Sequence, residues 1–368
     1  MFRTNRRTKC LAIATAALAA AASACGSSST TTSKPAAAAS SSGSTAAAGS
    51  TKLTTVTMMV GGIDKQIYLE YQLGYDLGFF KKHGINMVLS TEQQGGVGAE
   101  DAMASGQVDL AGAWYIHTID FQQKGKDVID LAQLAGAPGE RIMCANGSGV
   151  HTAADFKGKS IGVTDLGSGT DDLVLYLAAR AGLTTKDFSR IGVGAGSTLI
   201  SALQNHRIAC GITSQPTVNA IESKGIGYSA IDLATTTGTV QNLGGAYPAA
   251  GVLTLQSWVD SHPQAAQNVV TAMVETMHWI GTHTAADVAN NLPAQFVSNA
   301  LSSKADYVKA LTTDYGQFIP TAIMPASGPQ TALNLDKIAG NITKPVDLSK
   351  TYTNQYVQNA DKVLGYSS

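Results

Sequence analysis

The chain has 368 residues, 44% of them hydrophobic and 14% charged, enough to bury a sizeable core in two domains or lobes. It carries 25 Lys and Arg against 26 Asp and Glu. Four of the basic residues, Arg3, Arg6, Arg7 and Lys9, fall in residues 1–24, which hold no acid, so the remainder is acidic and a nucleic-acid partner is not expected.

The basic start runs into residues 11–22, an apolar stretch of 12 small residues. Crossing the hydrocarbon core takes roughly 20 apolar residues, so the stretch is too short to span a membrane. Its length and flanks predict a signal peptide over 1–24. Ala22-Ser23-Ala24-Cys25 resembles a bacterial lipobox, in which cleavage leaves the cysteine as a lipidated N-terminus. Cys25 is therefore the expected lipidation site, with secretion without lipid as the alternative. Two or three acyl chains would anchor the protein to the outer face of the cell membrane, each buried methylene contributing about 0.8 kcal/mol. Residues 26–50 are almost entirely Ser, Thr, Ala and Gly, too poor in large apolar groups to offset the entropy of ordering, so 25–51 reads as a lipidated cysteine and tether.

From residue 53 onward strand-like and helix-like segments alternate. Residues 55–60 read as a strand, and 67–80 as an amphipathic helix closed by Lys81, Lys82 and Gly84. The beat repeats with strands at 85–90, 108–112 and 128–134 and helices at 97–105 and 116–124. Such alternation predicts a parallel or mixed sheet with helices on both faces. A second series of strands follows at 141–145, 160–164, 190–193, 208–213 and 226–233. After residue 246 one strand, 251–255, precedes helices at 263–282 and 304–318, a tail expected to pack back onto the first unit.

The reading is an α/β chain of two lobes: lobe I from 52–136 with 246–368, and lobe II with its hinge segments from 137–245. Two crossings between lobes make a hinge. The cleft between the sheets then lies at the C-terminal ends of their strands, where ligands bind in this architecture.

Asp165-Leu166-Gly167-Ser168-Gly169-Thr170-Asp171-Asp172 follows a strand and opens a helix. Glycine lets the backbone approach a ligand, and the first helical N–H groups with the hydroxyls of Ser168 and Thr170 suit an anion or polar oxygen. A plain N-cap is the structural alternative, and both can hold together. In lobe I the equivalent turns are Gly61-Gly62-Ile63-Asp64-Lys65-Gln66, Gln93-Gln94-Gly95-Gly96 and Ala113-Trp114-Tyr115-Ile116-His117. Trp114 and Tyr115 offer flat faces for a planar solute, or else pack in the core. Ser214-Gln215-Pro216 supplies amide and hydroxyl groups from the opposite wall. The candidate ligand contacts are Gln66, Gly96, Trp114, Tyr115, Ser168, Gly169, Thr170, Ser214 and Gln215. No arginine stands in these loops, so a bidentate clamp on a carboxylate or sulfonate is not visible.

Residues 70–84, ending Leu77-Gly78-Phe79-Phe80-Lys81-Lys82-His83-Gly84, and Ala102-Met103-Ala104-Ser105-Gly106-Gln107-Val108-Asp109 resemble the start of nitrate/sulfonate/taurine-type (SsuA/NMT1-like) periplasmic binding proteins. Asp155-Phe156-Lys157-Gly158-Lys159-Ser160-Ile161-Gly162-Val163 and the Gly167-Ser168-Gly169-Thr170 turn with Ala181-Gly182-Leu183 are similar to that family's second-lobe motifs. The resemblance implies a two-lobed periplasmic binding protein type II fold. It further implies an extracytoplasmic subunit of an ABC importer, with permease subunits as partners and a small solute held between the lobes. Sulfonates, taurine, nitrate, pyrimidines and aromatic acids lie within its range, and Trp114 with Tyr115 tilts the expectation towards an organic, planar solute. A monomer is expected. A ligand-sensing receptor without transport is the alternative.

An enzyme is not expected: there is no His-Glu-x-x-His, Cys-x-x-Cys or Walker loop. Pyrimidine-biosynthesis-type enzymes on the same fold are the remaining catalytic alternative. Gly192-Val193-Gly194-Ala195-Gly196-Ser197 lacks the glycine spacing of a dinucleotide turn, so no cofactor is expected. His278 and His283 fall on different helix faces, and no metal is expected. With Cys10 leaving in the signal peptide and Cys25 lipidated, Cys144 and Cys210 remain; two buried free thiols are expected, a disulfide being the alternative.

Overall fold

The computed structural model describes residues 52–92 and 96–366. The expected signal peptide, Cys25 and the tether lie outside these residues, as do Gln93, Gln94 and Gly95.

The chain lays down strands β1 (Thr54–Val60), β2 (Ile85–Thr91), β3 (Leu110–Trp114) and β4 (Val128–Gln133) before crossing over. It then forms β5 (Glu140–Ala145), β6 (Ser160–Val163), β7 (Ser189–Gly192), β8 (Cys210–Ser214) and β9 (Gly227–Leu233), and returns with β10 (Ala250–Leu255). Two mixed five-stranded sheets result, ordered β2-β1-β3-β10-β4 and β7-β6-β8-β5-β9. In each, a run of parallel pairs is followed by one strand antiparallel to both neighbours: β10 in the first sheet, β5 in the second. Both antiparallel strands come directly after a crossing. Each therefore begins at the edge where its parallel neighbour ends, which sets Glu140 opposite Ser214 and Ala250 opposite Trp114. The α/β two-lobed fold expected from the alternation is present.

Local departures have local causes. The single helix expected over 67–80 is a 3-10 turn, Gln66–Tyr68, followed by helices Leu69–Asp76 and Phe79–Lys82. Gly78 takes a left-handed φ of 76° between the two helices and breaks the helical path. The strand expected at 108–112 starts later, at Leu110. Asp109 turns its carboxylate onto the Thr57 backbone N–H and hydroxyl, both at 2.8 Å, and β1 pairs with β3 only from Met58 opposite Leu110. At its other end β3 runs on to Trp114, which pairs with Ala250.

The expectation of free thiols at Cys144 and Cys210 is corrected by a disulfide between them. Antiparallel pairing of β5 with β8 puts the two cysteines directly opposite each other, Cα atoms 3.9 Å apart, in a fully buried position.

The cores lie between each sheet and its helices. The longest helix, Pro263–Thr282, buries Ala266, Val269, Val270, Met273, Val274 and Met277 against the helices Leu69–Asp76 and Gln355–Leu364. The helix Gly328–Ala339 packs instead on Gly169–Arg180, which follows β6, and on Ile116–Gln123, which follows β3. The tail thus touches helices of both sheets. Among the described residues, no helix is long and apolar enough to cross a membrane.

Candidate functional site

The loops at the strand C-terminal ends of the two sheets meet around a small cavity lined by Lys65, Ile67, Tyr68, Trp114, Glu140, Thr164, Gly169 and Thr170. About 10 Å³ is free inside it, roughly the space of one water molecule. The lobes are therefore closed on each other in this structure. Across the closure the backbone N–H of Gln66 donates to the Gln215 carbonyl at 3.2 Å.

Lys65 reaches the cavity because Gly62, at a φ of 97°, lets the chain turn back under it. A Cβ on Gly62 would stand 2.5 Å from Lys65 Cε. The Lys65 ammonium donates to the Gly61 carbonyl at 2.9 Å and is buried. Burial pushes its pKa down, against the pull of Glu140, Glu92 and Asp64. Opposite, burial pushes the Glu140 carboxyl up to about 8, opposed by Lys65 and Arg141. Burial with the nearby carboxyls of Glu100 and Glu140 also raises the Tyr68 phenol.

Of the residues singled out in the sequence, Trp114, Gly169 and Thr170 line the cavity. Gln66 is buried beside it, its amide donating to the Tyr307 carbonyl at 2.9 Å. Ser168 lies beneath: it caps the helix Gly169–Arg180, accepting from the Asp171 N–H. Its hydroxyl joins those of Thr164 and Thr170 in a ring of contacts at 3.0, 2.8 and 2.7 Å. Ser214 ends β8 opposite Glu140, and Gln215 accepts from the Asn219 N–H with its side chain. Gly96 precedes the helix Val97–Ala104 and donates its N–H to Glu92 at 2.7 Å. Tyr115 parts from Trp114. Its hydroxyl meets Thr351 at 2.6 Å and its ring packs on Tyr352, away from the lining residues.

Glu140, Tyr68 and Thr164 line the cavity without having been singled out. Glu140 opens β5, and reading that strand as parallel puts its first residue at the far edge; only the antiparallel insertion brings it to the cleft. Among the described residues, three buried polar atoms at or beside the cavity lack a hydrogen-bond partner: Trp114 Nε1, Glu140 Oε2 and Gln66 Oε1. A buried polar atom left unpaired costs about 1–3 kcal/mol, so this cavity calls for a polar guest. Arg141 is not free to serve it, because its guanidinium makes a two-pronged pair with Asp314 at 2.6 and 2.8 Å.

Larger open depressions lie elsewhere, about 610 Å³ beside His151 and Asp232 and about 800 Å³ beside the Gly192 to Ser197 glycine turn. Each is lined from the second sheet and its helices alone. Neither brings the two sheets together. One set of metal-ligating side chains occurs among the described residues, His117, Asp120 and Asp172.

Two mixed sheets, each holding one antiparallel strand that follows a crossing, with a polar cavity between their strand ends, define the two-lobed periplasmic binding protein type II class of fold. The chain belongs to the NMT1/THI5-like family, whose profile matches residues 69–285. It is similar to a protein of solved structure from Bordetella bronchiseptica RB50, 30% identical, over 84% of this chain and 98% of that one, with a TM-score of 0.77. It shares its fold with the periplasmic nitrate-binding protein NrtA from Synechocystis PCC 6803, at 17% identity over 85% and 89% of the two chains and a TM-score of 0.67. It also shares it with the alkanesulfonate-binding protein SsuA from Xanthomonas axonopodis pv. citri bound to MOPS, at 17% identity over 81% and 98% and a TM-score of 0.66. Most of the functionally named neighbours are binding proteins, though the desulfurization enzyme DSZB stands among them. No curated protein sequence matches the chain.

Proposed function

We propose that this chain is the extracytoplasmic solute-binding subunit of an ABC importer, capturing a small organic or oxyanion solute between its lobes and not acting as an enzyme. In this reading it works as a monomer held by a lipid on Cys25, with lobe I drawn from 52–136 and 246–368 and lobe II from 137–245. The observation that carries it is the closed cavity fed by both sheets, where Trp114 Nε1 and Glu140 Oε2 are buried and unpaired. The preponderance of binding proteins among the functionally named neighbours supports capture of a guest over its transformation.

Within that range of solutes the cavity favours one that brings both a hydrogen-bond donor and an acceptor. Lys65 and the Trp114 indole donate, whereas Glu140 can accept. Bare nitrate would leave the Glu140 carboxyl without a donor. An amine or ring N–H would donate to its oxygen, and the indole and the Tyr68 ring give flat apolar walls. With room for one water in the closed state, solute must enter with the lobes apart and be enclosed as they meet.

A thermal-shift screen of the full chain against sulfonates, nitrate, amines, pyrimidines and aromatic acids tests the reading. A ligand at 100 times its dissociation constant stabilises by about 2.7 kcal/mol. The hit should quench or shift Trp114 fluorescence on titration and lose at least tenfold in affinity in both Glu140→Gln and Trp114→Ala. Affinity untouched by both substitutions would remove this cavity as the binding site.

A further inference from the structure

One helical turn past the cavity, the helices Ile116–Gln123 and Gly169–Arg180 bring a second polar cluster together. His117 Nδ1 lies 3.0 Å from Asp120 Oδ2, and its Nε2 lies 3.3 Å from Glu100 Oε1. One ligand atom from each of His117, Asp120 and Asp172 falls within 4.8 Å of the others. His117 and Asp172 are 4% and 3% exposed. Asp172 Oδ1 accepts from Asn341 at 2.8 Å, whereas its Oδ2 has no partner among the described residues. The same Asn341 amide lies 3.3 Å from Asp336 Oδ1, and Asp336 is fully buried with Oδ2 unpartnered.

Four carboxyls thus gather about one imidazole, and no lysine or arginine is paired with any of the four among the described residues. A single imidazole, that of His117, faces all of this buried acid, and burying so many carboxyls against one such partner is costly. We propose that His117, Asp120 and Asp172 bind one divalent cation of the zinc type, which bridges the two lobes beside the solute cleft in their closed state.

The donor set selects the ion. Imidazole nitrogen with carboxylate oxygen suits zinc, whereas calcium takes six to eight oxygens and magnesium keeps most of its water. Ligand atoms each about 2.1 Å from a tetrahedral ion stand about 3.4 Å apart, so the present spacing closes with a shift of roughly 1 Å. Asp336 is placed to give a fourth donor or to brace Asp172 through Asn341. Glu100 stands where a carboxylate backs a ligating imidazole. Asp120, with a side chain 21% exposed, leaves a way in from solvent. A search of the sequence for paired histidines passes over this set because it holds a single histidine and its third member, Asp172, comes from a different helix.

The test uses the full chain, stripped with EDTA, desalted and dialysed against zinc, with calcium and manganese in parallel. One zinc per chain should be retained and the melting temperature should rise. Asp120→Asn with Asp172→Asn should weaken zinc binding at least 100-fold and abolish the rise, whereas His278→Ala with His283→Ala should change neither. X-ray absorption of the zinc-loaded unmodified chain gives a readout independent of how the variants fold: a shell of oxygen and nitrogen with one imidazole is expected. The proposal is overturned by no retained zinc, by calcium held in preference to zinc, by undiminished binding in the aspartate variant, by loss in the histidine variant, or by a shell containing sulfur or several imidazoles.

Discussion

The backbone of Gly169 lies against the Trp114 indole so closely that a Cβ on residue 169 would stand 2.3 Å from Trp114 Cε3. The two residues end parallel paths in different sheets, Trp114 closing β3 and Gly169 opening the helix after β6. Their contact exists only when the lobes meet. Gly169→Ala should therefore hold the lobes apart at the cost of overpacking, about 1–3 kcal/mol. Solute affinity should fall roughly 5- to 100-fold, and small-angle scattering should show a larger radius of gyration at saturating solute. A variant that compacts and binds like the parent would show that closure does not run through this contact.

Ser168 has a structural duty that is separable from any contact with solute. It caps the helix Gly169–Arg180 and shares its hydroxyl with Thr164 and Thr170. Ser168→Ala removes the cap and part of the ring, so stability should drop by about 1–2 kcal/mol in urea unfolding. Thr170→Val, at the cavity wall, should show the larger effect on binding.

The Cys144–Cys210 bridge closes a loop with a sequence separation of 66 residues between two neighbouring strands. Cross-linking restricts the unfolded chain, which for a loop of this length stabilises by about 4 kcal/mol in the chain-entropy account. Replacing both cysteines with alanine should lower stability by about 2–5 kcal/mol. Denaturant melts of the oxidised chain, the reduced chain and the double variant measure it. Equal midpoints for all three would contradict the assignment.

Glu70 is fully buried, and burial pushes its carboxyl from 4.5 up to about 8, only partly offset by a backbone N–H. Between those values the folded chain keeps a proton that the unfolded chain has released, so the native state binds more protons. Stability must then fall as pH rises from about 4.5 to about 8 and level off above. Glu70→Gln removes the effect. Its stability relative to the parent should improve by a few kcal/mol between pH 5 and pH 8 in urea melts at both values, and a difference independent of pH would refute the burial account.

The element sequence was legible because alternation of apolar and polar residues and the glycine punctuation are local. The long helix Pro263–Thr282 and the turn around Gly169 follow from the sequence alone. What escaped depends on which strand lies beside which. Glu140, the partner of Ser214, and the Cys144–Cys210 pair both follow from β5 running against its neighbours, and nothing within 140–145 announces that direction. Trp114 and Tyr115 look alike in sequence, yet at the end of β3 one side chain turns to the cavity and the next to Thr351. Asp109 shows the same limit on a smaller scale. Its carboxylate binds Thr57, 52 residues away, and so decides where β3 begins.

The late return of β10 also sets an order on assembly. Everything in the second sheet lies between Glu140 and Leu233, whereas β4 of the first finds its neighbour only in β10. A chain delivered N-terminus first has every strand of the second sheet in hand before Ala250 follows. Until that residue arrives β4 is an edge without a seam, and the earlier-born half of the protein waits on the later-born half to be sewn shut.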